Sequence, residues 1–371
     1  MDSKATIGMT KRRKGLHRLM EKVYRERGFD FRDYKESTLT RRLERRLHAR
    51  GVKSYADYAC VLDKDPSEYD KLFDDLTIKV TSFFRDEVAF RTLEEMVIPT
   101  LIKRRIGRQK GLRIWSAGCA MGQEPYSIAM LFSEKLGPLD SRPHWMNNIQ
   151  RGKHLTGLGK KINSQNLTIL ATDIHTKALE QAKEGVFARS EVEAIRPAWR
   201  KKYFIFEGNS FRVKPALKKL ITFKAHNLVS GLPYQDLDLV VCRNVLIYFS
   251  LPLQMRVLRD FYDGLSRGGF LLLGKDEMPM GEGTVLFECV DKKAKLFKKA
   301  EIHPVRTSLR PNRAHKFWYG ISKTEIPTTE NRVKLSPKAI FLKEAEKARE
   351  KKKKDSKTRW ITYHGKPYKE I

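Results

Sequence analysis

The stretch LRIWSAGCAMGQEPYS, residues 112–127, decides the fold. An apolar run ends in two glycines, Gly118 and Gly122, and Pro125 follows where a helix is expected to begin. This reads as a strand-to-helix turn. Residues without Cβ let the backbone approach a ligand closely, and the helix N-terminus behind them offers unpaired N–H groups. Pro125 suits the first helical position, where its missing N–H costs nothing. The missing Gly-Lys-Ser/Thr argues against a P-loop, and the match to Gly-x-Gly-x-x-Gly is poor.

Downstream, apolar runs alternate with helical patterns from about residue 90 to 300, which predicts a mostly parallel, doubly wound α/β sheet. The strands are LTILATD (167–173), ITFKAHN (221–227), LDLVVCR (237–243) and GFLLLGK (269–275), with a closing pair around LFECV (286–290) and AKLFKKA (294–300). LVVC and FLLLG lack alternation, as expected of strands covered by helices on both faces. KYFIFEGNSFRVKP (202–215) reads as a hairpin turning at Gly208-Asn209. With LITFK (220–224) it predicts a small antiparallel insertion over about 186–225. Residues 137–166 are polar and aperiodic and read as a surface insertion.

Upstream, residues 1–90 read as a basic, all-helical domain. In TLTRRLERRLHARG (38–51), Leu39, Leu43 and Leu47 recur every four residues, Arg41, Arg42, Arg45 and Arg46 fall elsewhere on the wheel, and Gly51 stops the helix. Ser54 and Ser67 are placed to cap two further helices. Residues 301–371 form a basic tail, in which KEAEKAREKKKK is at best an exposed charged helix.

The chain has 371 residues, 40% of them hydrophobic and 10% aromatic, enough for a sizeable core. No apolar run approaches the ~18–20 residues of a membrane span, and the N-terminus has no signal-peptide core. Cys60, Cys119, Cys242 and Cys289 are scattered, which argues against zinc and disulfides and suits a reducing cytoplasm. The net charge of +31 suggests nucleic acid, but much of its excess lies at the two ends. Residues 1–60 carry seventeen Lys/Arg against eight Asp/Glu, and residues 301–371 nineteen against eight.

Four strand ends fall at one sheet rim. Gly118 ends the first strand, Asp173 the second, Asn227 the third and the pair Arg243-Asn244 the fourth. Open α/β sheets bind ligands at that carboxyl edge, where an acid after the second strand accepts hydrogen bonds from ribose. The interval from Gly118 to Asp173 is 55 residues, against about 20 in dinucleotide folds. The 137–166 insertion accounts for much of the excess. The alternative role of Asp173 is to cap the helix that follows. A glycine turn with an acid at the second strand end and no pyrophosphate cradle suits S-adenosylmethionine. Glu124 is a second polar candidate, although first-turn acids also serve the helix dipole.

These residues carry a resemblance. SAGCAMGQEPYSIAM, ATDI, HNL, VVCRNVLIYF and GGFLLLG, in this order, resemble the CheR-type chemotaxis receptor glutamate methyltransferases, and VTSFFRDE with the basic helices before it resembles their N-terminal domain. The match spans roughly residues 20–300. It implies a class I S-adenosylmethionine-dependent methyltransferase fold and methyl esterification of glutamates in the acidic cytoplasmic bundle of a chemoreceptor. It also implies cofactor contacts from Thr81, Arg85, Glu124, Asp173, Asn227, Leu228, Asn244 and Val245, with Arg85 and Tyr248 beside the transferred methyl. The Arg-rich helix and the hairpin insertion would meet the receptor. Lys79 stands where the family often has Asn, and GKDE (274–277) replaces the commoner Gly-x-Ser-Glu.

The chemistry asks for little more. A glutamate side chain, with a pKa near 4.3, is already an ionised nucleophile at neutral pH, so no general base is needed. Arg85 suits bidentate grip of a carboxylate, and Arg243 suits holding a neighbouring carboxylate or carbonyl. Phe83 and Phe84 either wall the pocket or pack the helical domain onto the sheet. Two rival readings stand. A nucleic-acid methyltransferase fits the charge, but CRNVLIYF lacks the Asn/Asp-Pro-Pro-aromatic tetrad, and Cys242 precedes Arg rather than following Pro. A non-catalytic S-adenosylmethionine sensor is the other.

Overall fold

The computed structural model describes residues 3–77, 79–105, 111–136, 167–301, 360–363 and 366–369. The predicted insertion 137–166 and the charged stretch 343–354 lie outside the described residues. Two compact units are delimited, Met1–His303 and Pro304–Ile371.

Helices α1 (Ser3–Arg27), α2 (Glu36–Ala49), α3 (Tyr55–Lys64) and α4 (Glu68–Leu76) open the first unit. Their apolar faces close on one cluster that includes Leu19, Met20, Phe31, Leu39, Leu43, Tyr58 and Leu72. Leu39, Leu43 and Leu47 are buried as the four-residue spacing predicts, and Gly51 follows the helix at φ 66°. Ser54 caps α3 by accepting from the Asp57 N–H. Ser67 does not cap α4, because its own N–H and hydroxyl donate to Asp65.

Helix α5 (Glu87–Thr92), a π-helical turn (Leu93–Val97) and α6 (Ile98–Arg105) lead to strand β1 (Leu112–Ala117) and helix α7 (Gln123–Leu136). Pro125 is the third helical residue, not the first, and is still among the four whose N–H has no partner in the helix. Strand β2 (Leu167–Asp173) and α8 (Thr176–Glu184) follow. Next come β3 (Val186–Ala188), α9 (Arg189–Val192), α10 (Pro197–Tyr203), β4 (Phe204–Glu207), β5 (Ser210–Val213), α11 (Pro215–Lys218) and β6 (Ile221–Ala225). The unit ends with β7 (Leu237–Cys242), α12 (Leu251–Gly264), β8 (Leu265–Leu273), α13 (Gly283–Leu286), β9 (Phe287–Asp291) and β10 (Leu296–Lys299).

The main sheet has the order β6-β2-β1-β7-β8-β10-β9. Its first five strands are parallel, and β10 and β9 close it antiparallel. All of β7 is buried, and the two faces carry separate cores, one around Ile114, Tyr126, Phe132 and Leu239, the other around Trp115, Val240, Phe261 and Leu271. The small antiparallel sheet is real, in the order β3-β5-β4, but one member differs from expectation. Its third strand is Val186–Ala188, whereas 221–225 pairs in parallel with β2 at the edge of the main sheet. The segment is amphipathic, and period alone does not say which neighbour completes its ladder.

The helical region is stitched to the sheet rim. Tyr34 and Phe249 form an isolated antiparallel bridge, the Lys35 N–H donates to Tyr248 O (2.8 Å) and the Ser250 N–H to Asp33 O (2.9 Å). Farther along, the Phe73 and His175 rings lie 5.2 Å apart and His175 Nε2 is 2.6 Å from Asp74. In the second unit the tail sequence shows no pattern, yet β11 (Trp360–Tyr363) and β12 (Lys366–Lys369) pair antiparallel.

Candidate functional site

The strand order reverses between β1 and β7, and a crevice opens there outside the carboxyl ends of the strands. The turn leaving β1 builds its floor. Gly118 N–H and Cys119 N–H both donate to Thr172 O (2.7 and 3.0 Å), folding the chain back over β2. Gly118 has φ 82°, and a Cβ there would sit 2.4 Å from Val245 Cγ2, so only glycine fits. Ala120, at φ 47°, turns its N–H onto Asp173 Oδ2 (2.8 Å).

Asp173 Oδ1 accepts from the His175 N–H (2.8 Å), and burial pushes the carboxyl's pKa up. It does not cap α8. That role belongs to His175, whose Nδ1 accepts from the Ala178 N–H (3.1 Å).

A cavity of about 230 Å³ occupies the crevice. Gly118, Asp173, Asn227, Arg243 and Asn244 line it from the strand ends. Thr81, Arg85, Glu124, Leu228, Val245 and Tyr248 line it from the connecting segments. Of the sequence-predicted residues only Gly122 is not part of the lining. A Cβ at Gly122 would meet Ala182 Cβ at 2.9 Å, so this glycine serves the close approach of α8, not the pocket. The sequence reading missed Tyr34, Leu76 and Thr77, which the helical region brings to the same wall. Nothing in FRDYKE marks Tyr34; its place follows from the bridge to Phe249.

Arg85 sits on a loop held in an unusual shape. Phe84 and Asp86, on either side, have φ 50° and 63°, conformations that cost non-glycine residues about 1–3 kcal/mol each. Phe83 is buried edge-on against Phe187 and Phe204, which answers its alternative role with packing. Phe84 N–H donates to Ser127 Oγ (3.0 Å). The Arg85 guanidinium donates to Val80 O (2.8 Å) and has no carboxylate partner among the described residues.

Arg243 is occupied differently from the open catalytic group the sequence suggested. Its side chain is only 2% exposed, its Nη2 donates to Arg85 O (2.8 Å) and pairs with Asp86, and its Nη1 lies 3.6 Å from Glu124. Its Nε is buried without a protein partner. Tyr248 is half-buried beside it in the lining, with its pKa raised by burial.

Glu277 is another residue the sequence reading passed over. Its carboxylate accepts from four backbone N–H groups, those of Gly274, Asn244, Val245 and Ile247 (2.6–3.2 Å). It thereby fixes the segment after β7 that presents Asn244, at φ 59°, and Val245 to the cavity. The GKDE variation keeps this glutamate. Lys79, the other departure, pairs with Asp74 (2.9 Å) and is not in the lining.

Glu124 is buried, accepts from Ser116 Oγ (2.8 Å), and is pushed up to about 7 by burial despite the nearby Arg243. The sign follows directly. A raised carboxylate favours the folded state below its unfolded value near 4.5, and that contribution is lost as pH rises towards 7. Ligand-free protein should therefore lose thermal stability between pH 5 and 7.5, whereas Glu124→Gln should show a flatter profile in pH-dependent melting. Equal slopes would remove Glu124 as the cause.

The donor set suits S-adenosylmethionine: a carboxylate at the β2 end for the ribose, a glycine floor that a Cβ would fill, and charged groups of both signs for an amino acid moiety. Among the described residues no helix is long and apolar enough to cross a membrane, and no cluster could hold a metal ion.

Comparison with known proteins agrees. A family model described as CheR methyltransferase, SAM binding domain, matches residues 79–142 and 155–296, and one described as CheR methyltransferase, all-alpha domain, matches residues 14–77. A chemotaxis protein methyltransferase of Listeria innocua is 31% identical over 255 residues, covering 69% of this chain and 86% of that protein. Chemotaxis protein methyltransferase 2 of Pseudomonas aeruginosa is 32% identical over 276 residues, covering 71% and 86%. A 104.1 kDa uncharacterized protein of Rhodobacter capsulatus is 34% identical over 263 residues, and there the chain spans a quarter of the relative's length. The chain therefore belongs to the CheR methyltransferase family, as an S-adenosylmethionine-dependent methyltransferase with an all-helical N-terminal region.

Proposed function

We propose that this protein esterifies glutamate side chains on the cytoplasmic domain of chemoreceptors, at the cytoplasmic face of the membrane, in adaptation of chemotaxis signalling. The carrying observation is Arg85, a guanidinium lining the cavity that forms no ion pair with a carboxylate among the described residues. An incoming glutamate supplies that carboxylate, and a guanidinium fork fixes its orientation. The cofactor supplies a methyl on a sulfonium; a carboxylate oxygen bonds to that carbon as the carbon–sulfur bond breaks, with the electron pair leaving on sulfur. The chain's part is to align and to exclude water. Asp173 and Asn227 would hold the adenosine end, Glu124 would receive the amino acid end, and Tyr248 with Tyr34 would cover the reacting centre. Orientation of this kind supplies on the order of 7–11 kcal/mol.

The receptor-facing surface is smaller than the arginine count suggests. Arg42 is buried, donates to Asp75 O (2.6 Å) and lies 5.8 Å from the Tyr248 ring, and Arg46 pairs with the buried Glu68. Arg41 and Arg45 are the exposed members. With labelled cofactor, base-labile methyl label should enter an acidic receptor fragment and not tRNA or DNA. Its rate should fall with added salt, and less steeply for a variant lacking Arg41 and Arg45. Label entering only nucleic acid would refute this function.

A further inference from the structure

We propose that Asp86 is a positioning residue for methyl transfer: through Arg243 it fixes the backbone of Arg85, and so the direction from which the Arg85 guanidinium meets the substrate carboxylate. The proposal rests on the reading of Arg85 given above.

Asp86 is absent from the cavity lining, so it does not act on substrate or cofactor directly. Its side chain makes no capping bond to α5, which it precedes. What it does contact is Arg243 Nη2, the same nitrogen that donates to Arg85 O. One guanidinium thus clamps two consecutive residues of the loop, holding the carbonyl of one and the carboxylate of the next. Arg243 is anchored at the end of β7, in the middle of the main sheet, and is nearly sealed from solvent. The clamp therefore refers Arg85 to the most rigid part of the fold.

The need for a clamp is visible in the backbone. Arg85 lies between two non-glycine residues of positive φ, an arrangement that persists only where its surroundings over-determine it. Phe83 packing and the Ser127 bond hold the N-terminal side of Arg85, Arg243 holds its carbonyl, and Asp86 is tied to Arg243 by its side chain and to α5 by its own carbonyl, which accepts from the Ala89 and Phe90 N–H groups. Glu124, at 3.6 Å, is the other carboxylate near Arg243, and burial drives it towards its neutral form. Asp86, with its side chain one-third exposed, keeps contact with water and is the closer counter-charge. Without it, Arg243 would lose its nearer counter-charge and hold the Arg85 carbonyl less firmly.

The test uses the full chain with labelled cofactor and an acidic receptor fragment, read as kcat and KM, with calorimetric affinity for the demethylated cofactor and a thermal melt. Asp86→Ala should lower kcat on the order of 10–100-fold with cofactor affinity little changed, and Asp86→Asn, which keeps an acceptor oxygen, should fall less. The deciding measurement is a double-mutant cycle: in an Arg85→Ala background, Asp86→Ala should cost nothing further. Additive losses, or a cofactor affinity that falls in step with kcat, would assign Asp86 a general structural role and overturn the proposal. Unchanged turnover in Asp86→Ala beside an inactive Arg85→Ala overturns it alone. Full activity in Arg85→Ala overturns the reading of Arg85 together with it.

Discussion

Replacing Arg85 with alanine should lower kcat/KM by about 10²–10³-fold, the usual loss when one preorganised donor facing the reacting group is removed. The fold should survive. Among the described residues the guanidinium makes one hydrogen bond, to Val80 O, and the loop is held by Phe83, Ser127 and Arg243 through atoms the substitution leaves in place. Affinity for the demethylated cofactor is expected to change much less than turnover, because Asp173, Asn227 and Asn244 are untouched. Arg85→Lys should recover only part of the loss, since an ammonium keeps the charge but not the planar fork. Turnover that survives in the alanine variant would take Arg85 out of the mechanism.

The largest effect on stability is expected at Glu277. Alanine there leaves the N–H groups of Gly274, Asn244, Val245 and Ile247 without their acceptor, in a site where the glutamate itself is only 4% exposed. Each buried unpaired donor costs about 1–3 kcal/mol, and water entering the vacated space offsets part of the sum. A net loss of about 3–5 kcal/mol is expected, as for other broken buried charge networks, seen as a lower Tm. Cofactor affinity should fall with it, because Asn244 and Val245 lose their scaffold. Glu277→Gln, with one oxygen left to accept, should be intermediate. A melt unchanged from the parent would mean these amides find other partners.

Most of the sheet could be read from the chain because its strands are buried on both sides. LVVC and FLLLG have no other home than between two layers of helices, and their carboxyl ends then converge by topology. The rim residues Gly118, Asp173, Asn227 and Asn244 followed. Legibility failed where a residue's partner is remote in sequence. Gly122 looked like part of the ligand turn, but Ala182 is what it accommodates. Arg42 and Arg46 looked like surface charge, since a helical wheel cannot know that Asp75 and Glu68 lie across from them. Segment 221–225 carried the strand signal without the identity of its neighbour. Glu277 showed only as an acid after a strand, and its role exists through amides some thirty residues earlier. Asp86 was hidden for the same reason.

The bridge between Tyr34 and Phe249 joins the helical region to the cavity wall, and Leu76 and Thr77 extend that wall from the same side. A molecule that fills the cavity is consequently placed to touch both the helical region and the sheet rim. Its binding energy is then added to whatever already resists their separation, by RT ln(1 + [L]/Kd) for a ligand that needs both. Occupancy and protection from proteolytic nicking at residues 79–82 are in that sense expected to rise together.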